Sequence, residues 1–198
     1  MRNIAGILAI GVFFLALGGC ATTPSVSYGS PEQVETVTEE FGSTDLQMIA
    51  EKMVNSLLAS PVLSTGQRPV FYVHTVRNKT DEHIDTKSVT DKIRVTLLKS
   101  GKVRFTAVNE VNDEMVKQLE YQTSSGIVDP TTAKSFGSQV GADYFLYGEL
   151  ASIKKSAGRV RDVYFKFTLN LVNISTGLIE WADEKEIRKQ AKRPLLGS

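Results

Sequence analysis

The chain has 198 residues, with 23 Lys and Arg against 22 Asp and Glu and a formal net charge of +1. That balance excludes the global basic excess that holds nucleic acid. One cysteine excludes a disulfide within the chain, and the length suits a single well-buried core without metals or cross-links.

The first segment in chain order is MRNIAGILAIGVFFLALGGC. Arg2 gives a positive start, and Ile4 to Leu17 is an apolar run. Leu17-Gly18-Gly19-Cys20 then matches the lipobox pattern of an apolar residue, two small residues and a cysteine. The run is too short and wrongly flanked for a stable membrane span, so residues 1–19 read as a lipoprotein signal peptide. Small residues ahead of Cys20 let a signal peptidase approach the backbone, and the thiol is free to take a diacylglycerol. Each buried methylene contributes about 0.8 kcal/mol, so several chains on Cys20 anchor firmly. Loss of residues 1–19 removes Arg2 and no acid, which takes the mature chain to about zero net charge. Ala21 stands where an Asp would favour the inner membrane, so the expected location is the outer membrane, periplasmic side.

Residues 20–42 read as a lipid-anchored flexible tether, rich in Ser, Thr, Pro, Gly and Glu and without period. As a coil its span is roughly 26 Å, and fully stretched it reaches about 75 Å. The folded domain is expected over residues 43–198. Thr44, with Gln47 three residues on, suits a capping box for a helix bearing Leu46, Ile49, Ala50, Met53, Val54, Leu57 and Leu58 at helical spacing; Pro61 stops it. PVFYVHT (69–75) reads as a buried strand and VRNKT (76–80) as the loop after it. Asp85 or Thr86 caps a second helix through Val89, Ile93 and Leu97, ended by Gly101. Residues 103–108 are a second strand. Asn109 and Asp129-Pro130 open third and fourth helices. The period then changes to two. Residues 143–153 form a third strand; 163–174 alternate Val163, Phe165, Phe167, Leu169 and Leu171 with Tyr164, Lys166, Thr168 and Asn170; 178–187 return as a hairpin. The order implies an α/β (α+β) fold: a mixed sheet of about five strands with helices mainly on one face and the other face partly open.

Signals for catalysis are weak. There is no G-x-S-x-G elbow, Walker loop, G-x-G-x-x-G or H-E-x-x-H, and of the two histidines His74 lies in a strand and His83 in a loop. Neither a metal nor an enzymatic activity is expected, and no cofactor beyond the covalent lipid on Cys20. The acidic Asp183-Glu184-Glu186 cluster, interleaved with Lys185 and Arg188, reads as a salt-bridged sheet edge. Lys154, Lys155, Arg159, Arg161 and Lys166 gather around one hairpin and form a local positive patch in a near-neutral domain. Such a patch either keeps a sheet edge soluble or docks an acidic surface of another protein, with Tyr164 and Thr168 at its centre.

Several segments together resemble the LpoB family of outer-membrane lipoproteins: VRNKT (76–80), LKSGKVRF (98–105), VGADYFLYG (140–148) and LNLVN (169–173) followed by Thr176-Gly177 and Trp181. Segments of the VGADY and T-G-x-[IL]-x-W kind also occur in the TolB amino-terminal domain and in CsgG-like lipoproteins. The resemblance implies a TolB amino-terminal-domain-like fold and a non-enzymatic role. The expected partner is the small regulatory domain of a class A penicillin-binding protein, whose glycan polymerisation and cross-linking are stimulated. A structural or secretion-associated envelope lipoprotein of the CsgG or TolB-like kind is the alternative. Relatives of this kind carry long Pro-rich linkers, and the shorter run here departs from them.

Overall fold

The computed structural model describes residues 26–107, 117, 121, 135 and 141–192. The chain divides into two units, 1–31 and 32–198, and the fold below is that of the second. Cys20, the leader and all but Lys117 and Ser135 of the helices expected from Asn109 and Asp129 lie outside the described residues; those two residues are helical.

Helix α1 (Ser43–Leu58) buries the expected stripe of Ile49, Ala50, Met53, Val54 and Leu57. Its start differs from the expected capping box. Gly42 is the N-cap, Thr44 lies in the first turn, and the carboxylate of Asp45 accepts the Gly42 N–H at 2.8 Å. An acid at the third helical position satisfies the same orphan donor and complements the positive end of the helix. Helix α2 (Thr86–Lys99) is capped as expected by Asp85, which accepts from the N–H groups of Lys87 and Ser88. It buries Val89, Ile93 and Leu97.

Six strands form one sheet. They are β1 (Val70–Val73), β2 (Arg77–Lys79), β3 (Arg104–Phe105), β4 (Tyr144–Ala157), β5 (Val160–Asn173) and β6 (Ile179–Lys192). The order is β3-β1-β4-β5-β6, and β2 pairs with β4 as well. β1 runs parallel to β3 and β4, whereas β4, β5 and β6 form an antiparallel meander. The stretch read as a loop over 76–80 therefore contains a strand. β2 is three exposed residues with no apolar signal. It exists because β4 runs on past β1 and offers Glu149 to Ala151 as a parallel edge. Between β1 and β2, Val76 turns inward; its carbonyl accepts the Thr86 hydroxyl at 2.6 Å, which ties the break to the start of α2.

The alternation in β5 decides the layers. Val163, Phe165, Phe167, Leu169 and Leu171 are buried in one core with α1, α2, Leu146 and Leu150. The opposite face carries a smaller cluster, Tyr72, Phe145, Tyr147, Val172 and Ile174, at the end of the sheet where β1 pairs with β4. Both described helices thus lie on one face. Trp181 donates its indole N–H to Ser56 at 3.3 Å, and Lys52 meets Asp183 at 2.9 Å, so β6 is tied along α1. The β4–β5 hairpin closes through Gly158-Arg159, with Gly158 at φ 58°. A two-residue connection between twisted strands needs that positive φ, which glycine adopts without strain.

Candidate functional site

The seven residues singled out around the hairpin are placed by β4, the Gly158-Arg159 turn and β5. Strand parity separates them. Lys154 and Arg161 share a side with Val163 and Phe165, the helix-bearing face. Lys155, Tyr164, Lys166 and Thr168 project from the other face, and Arg159 sits in the turn. One hairpin therefore holds two groups of cations, back to back.

On the helix-bearing side both cations are paired. Lys154 meets Asp81 at 2.8 Å and Glu82 at 3.0 Å, and Arg161 meets Glu39 at 2.5 Å. The Asp81 and Glu82 carboxylates raise the Lys154 ammonium above its usual range, and Lys154 lowers Asp81 in return.

On the open side, cross-strand rows join residues that are distant in sequence. Ile153, Tyr164 and Arg188 form one row; Ala151, Lys166 and Glu186 the next; Glu149, Thr168 and Glu184 the third. Arg77 and Lys79 of β2 extend the last two rows on the far side of β4. Lys166 pairs with Glu184 at 2.5 Å, Arg188 with Asp162 at 2.5 Å, and Arg77 approaches Glu149 at 4.0 Å. The hydrogen bond to Glu186 holds the Tyr164 phenol above its usual range, and the bond to Glu184 does the same for Lys166. Ile153 stands exposed at 58 % beside this network. The face is thus a checkerboard of both signs rather than a positive field. Lys155 lies opposite Asp162 and, behind Arg188, helps to hold its carboxyl down, while Arg159 stands in the exposed turn.

The cluster read as a salt-bridged sheet edge is one: β6 is an edge strand, with Glu184 and Arg188 paired on the open face and Asp183 paired with Lys52 on the other. Sequence reasoning did not join Glu184, Glu186 and Arg188 to the hairpin face, and did not single out Asp162. The alternation of Glu184, Glu186 and Arg188 was the available signal, but β5 and β6 had to be laid in register before Lys166 met Glu184 and Asp162 met Arg188. A second concavity, an open cleft of about 950 Å³, lies at the other end of the sheet and includes Arg68, Arg104, Asp143, Tyr144 and Glu180. Its charges also cancel. Among the described residues no group of His, Cys, Asp and Glu could hold a metal ion.

Comparison with known proteins gives a match of residues 45–187 to the family model described as peptidoglycan-synthase activator LpoB. A penicillin-binding protein activator LpoB from Citrobacter koseri is 30% identical over 151 residues, covering 74% of this chain and 63% of the relative. Among solved structures, the LpoB C-terminal domain from Salmonella enterica is 18% identical with a TM-score of 0.46, covering 72% of this chain and 98% of that one. The NMR structure of Escherichia coli LpoB is 19% identical with a TM-score of 0.45, covering 88% and 87% of the two chains.

Proposed function

Because the chain belongs to the family of LpoB peptidoglycan-synthase activators, we propose that it is a lipid-anchored periplasmic regulator that binds and stimulates a class A penicillin-binding protein. The observation that carries this reading is the extent of the family match, which begins in the first turn of α1 and ends within β6. The lipobox ending at Cys20 supplies the anchor, and Ala21 favours the outer membrane. Stimulation then rests on differential affinity: the domain must bind the active conformation of the synthase more tightly than the inactive one.

The docking surface proposed is the open sheet face, with Tyr164, Lys166 and Thr168 at its centre and Lys155 and Arg159 at the hairpin end. Most of its cations already have partners, so a uniformly acidic patch would meet Glu184, Glu186 and Glu149 as well as Lys166. A partner with alternating signs fits this face better, and such complementarity sets register and specificity. Lys155 and Arg159, at the hairpin end, are then the residues that steer encounter.

The test uses the full acylated chain in detergent with the class A penicillin-binding protein of the same organism, reading glycan polymerisation and peptide cross-linking. A rise in rate is expected. Lys155→Glu with Arg159→Glu is expected to weaken binding by about tenfold at low salt, and less as salt screens the charges. No complex and no change in synthase rate would overturn the function. Unchanged affinity of the double variant at every salt would overturn only the surface.

A further inference from the structure

β6 ends the sheet, and among the described residues no strand pairs with its outer side. Which of its backbone groups face outward follows from the hairpin before it. A two-residue connection closes on a pair that exchanges both hydrogen bonds, here Ala157 and Val160. Counting from there, the odd-numbered residues of β5 turn their bonds to β6, where Phe165 meets Ile187 and Phe167 meets Lys185. The N–H and C=O groups of Ala182, Glu184, Glu186, Arg188 and Gln190 therefore point outward. In keeping with this, the Glu184 N–H donates to the carboxylate of its neighbour Asp183 at 2.8 Å rather than to β5.

An edge of this length is a template for another strand, and charged side chains normally blunt it. The charges of β6 are sorted along the strand: Asp183, Glu184 and Glu186 precede Arg188 and Lys189. An antiparallel copy of β6 carries the opposite sorting. With a two-fold axis through Glu186, Glu184 stands opposite Arg188 on the open face and Asp183 opposite Lys189 on the helix-bearing face. Moving the axis by one residue sets Glu184 against Glu186, or Lys185 against Lys189. Charge thus selects one register and disfavours its neighbours. Glu184 and Arg188 already have partners within the chain, but their side chains remain 47% and 64% exposed, with room for a second. Helix α1 adds an apolar contact. Its Lys52 reaches Asp183 and its Asp45 reaches Lys189, so Met48 between them comes level with Glu186. Met48 is 37% exposed and shares an open concavity of about 430 Å³ with Glu51, Lys52 and Lys185.

We propose that the protein pairs with a second copy of itself along β6, antiparallel and centred on Glu186, so that one sheet runs through both copies. About ten ladder hydrogen bonds join them once the Asp183 carboxylate yields the Glu184 N–H. The axis is perpendicular to the sheet, so both open faces lie on one side and both α1 helices on the other. If the open face docks the synthase, as proposed above, the dimer offers two docking sites side by side. The pairing itself does not depend on that reading.

The full acylated chain in detergent tests this in two ways. Glu186→Cys treated with a short bis-maleimide is expected to give a covalent dimer. Ala182→Cys is not, because the two copies of residue 182 would stand about 27 Å apart. A bond formed through Cys20 would appear in both variants. The second test is co-capture of two differently tagged copies. Glu184→Arg sets arginines opposite each other across the axis and Arg188→Glu sets carboxylates, so each variant is expected to lose co-capture of its own kind about tenfold. Mixing the two variants restores opposite charges in every such pair, and co-capture is expected to return. Cross-linking of both cysteine variants or of neither, or co-capture indifferent to these charges, would overturn the proposal. The cross-link needs neither charge variant, so it decides the matter even where one of them fails to fold. None of these readings needs a synthase. A dimer with no stimulation of a penicillin-binding protein leaves the interface standing and removes the function; stimulation by a chain that stays single does the reverse.

Discussion

At Gly148 the backbones of β4 and β5 leave no room for a side chain. This glycine is buried in the middle of β4, opposite Leu169, and a Cβ there would lie 2.2 Å from the Thr168 carbonyl oxygen. The obstacle is the backbone of the neighbouring strand, which no rotamer change can move. Gly148→Ala is therefore expected to cost about 1–3 kcal/mol of stability, read as a lower urea midpoint. An unchanged midpoint would mean that β4 and β5 can part locally at little cost. The need for glycine at this position was not legible in YFLYGEL, because the clash exists only once β5 lies alongside. His74, read as part of a strand, lies just past the end of β1, with its ring 6.2 Å from Phe145.

Between elements, the contact of greatest consequence joins α1 to β6. Lys189 reaches Asp45 at 2.5 Å, with side chains only 11% and 3% exposed. Asp45 also holds the helix cap, and Lys189 also holds the Glu40 carbonyl. Removing one partner from a buried pair leaves an uncompensated charge, so Lys189→Ala is expected to destabilise by about 3–5 kcal/mol. Replacing both, as Asp45→Asn with Lys189→Met, is expected to recover much of that loss; thermal melts of the three proteins decide it. Elements with a strong apolar period were legible: the stripes of α1 and α2 and the alternation of Val163 to Leu171 all turn toward one core. Strand ends were not. β4 runs to Ala157, β5 begins at Val160 and β6 continues to Lys192, beyond the residues read as strand. There the meander leaves the core, both faces become polar, and hydrogen bonding to the neighbouring strand replaces burial as the cause of extension.

Among the described residues, five carboxylates share one direction of titration. The Ser43 hydroxyl holds Glu35 below its usual range, Lys154 lowers Asp81, the Ser88 hydroxyl lowers Asp85 and Arg188 lowers Asp162. For Asp183 burial pushes upward, but the Ser56 hydroxyl and Lys52 outweigh it. Each folded value lies below the unfolded one, so each contribution is complete above the unfolded value and lost as pH falls through the folded one. The melting temperature is thus expected to be flat from about pH 7 to pH 5 and to fall below about pH 4; a rise on acidification would contradict these contacts. The topology carries a different consequence, for the order in which the protein is made. Phe71 pairs with Tyr144, and the stripe of α1 packs in one core with Phe165, Phe167 and Ile187. Everything synthesised first waits for what is synthesised last. Until β4 to β6 have emerged, Ile49, Met53 and Leu57 face water with no sheet to cover them, and such non-local pairing is slow. A nascent chain of this design stays open and adhesive through most of its synthesis. That state is a substrate for holding chaperones, and it can still be threaded through a narrow channel.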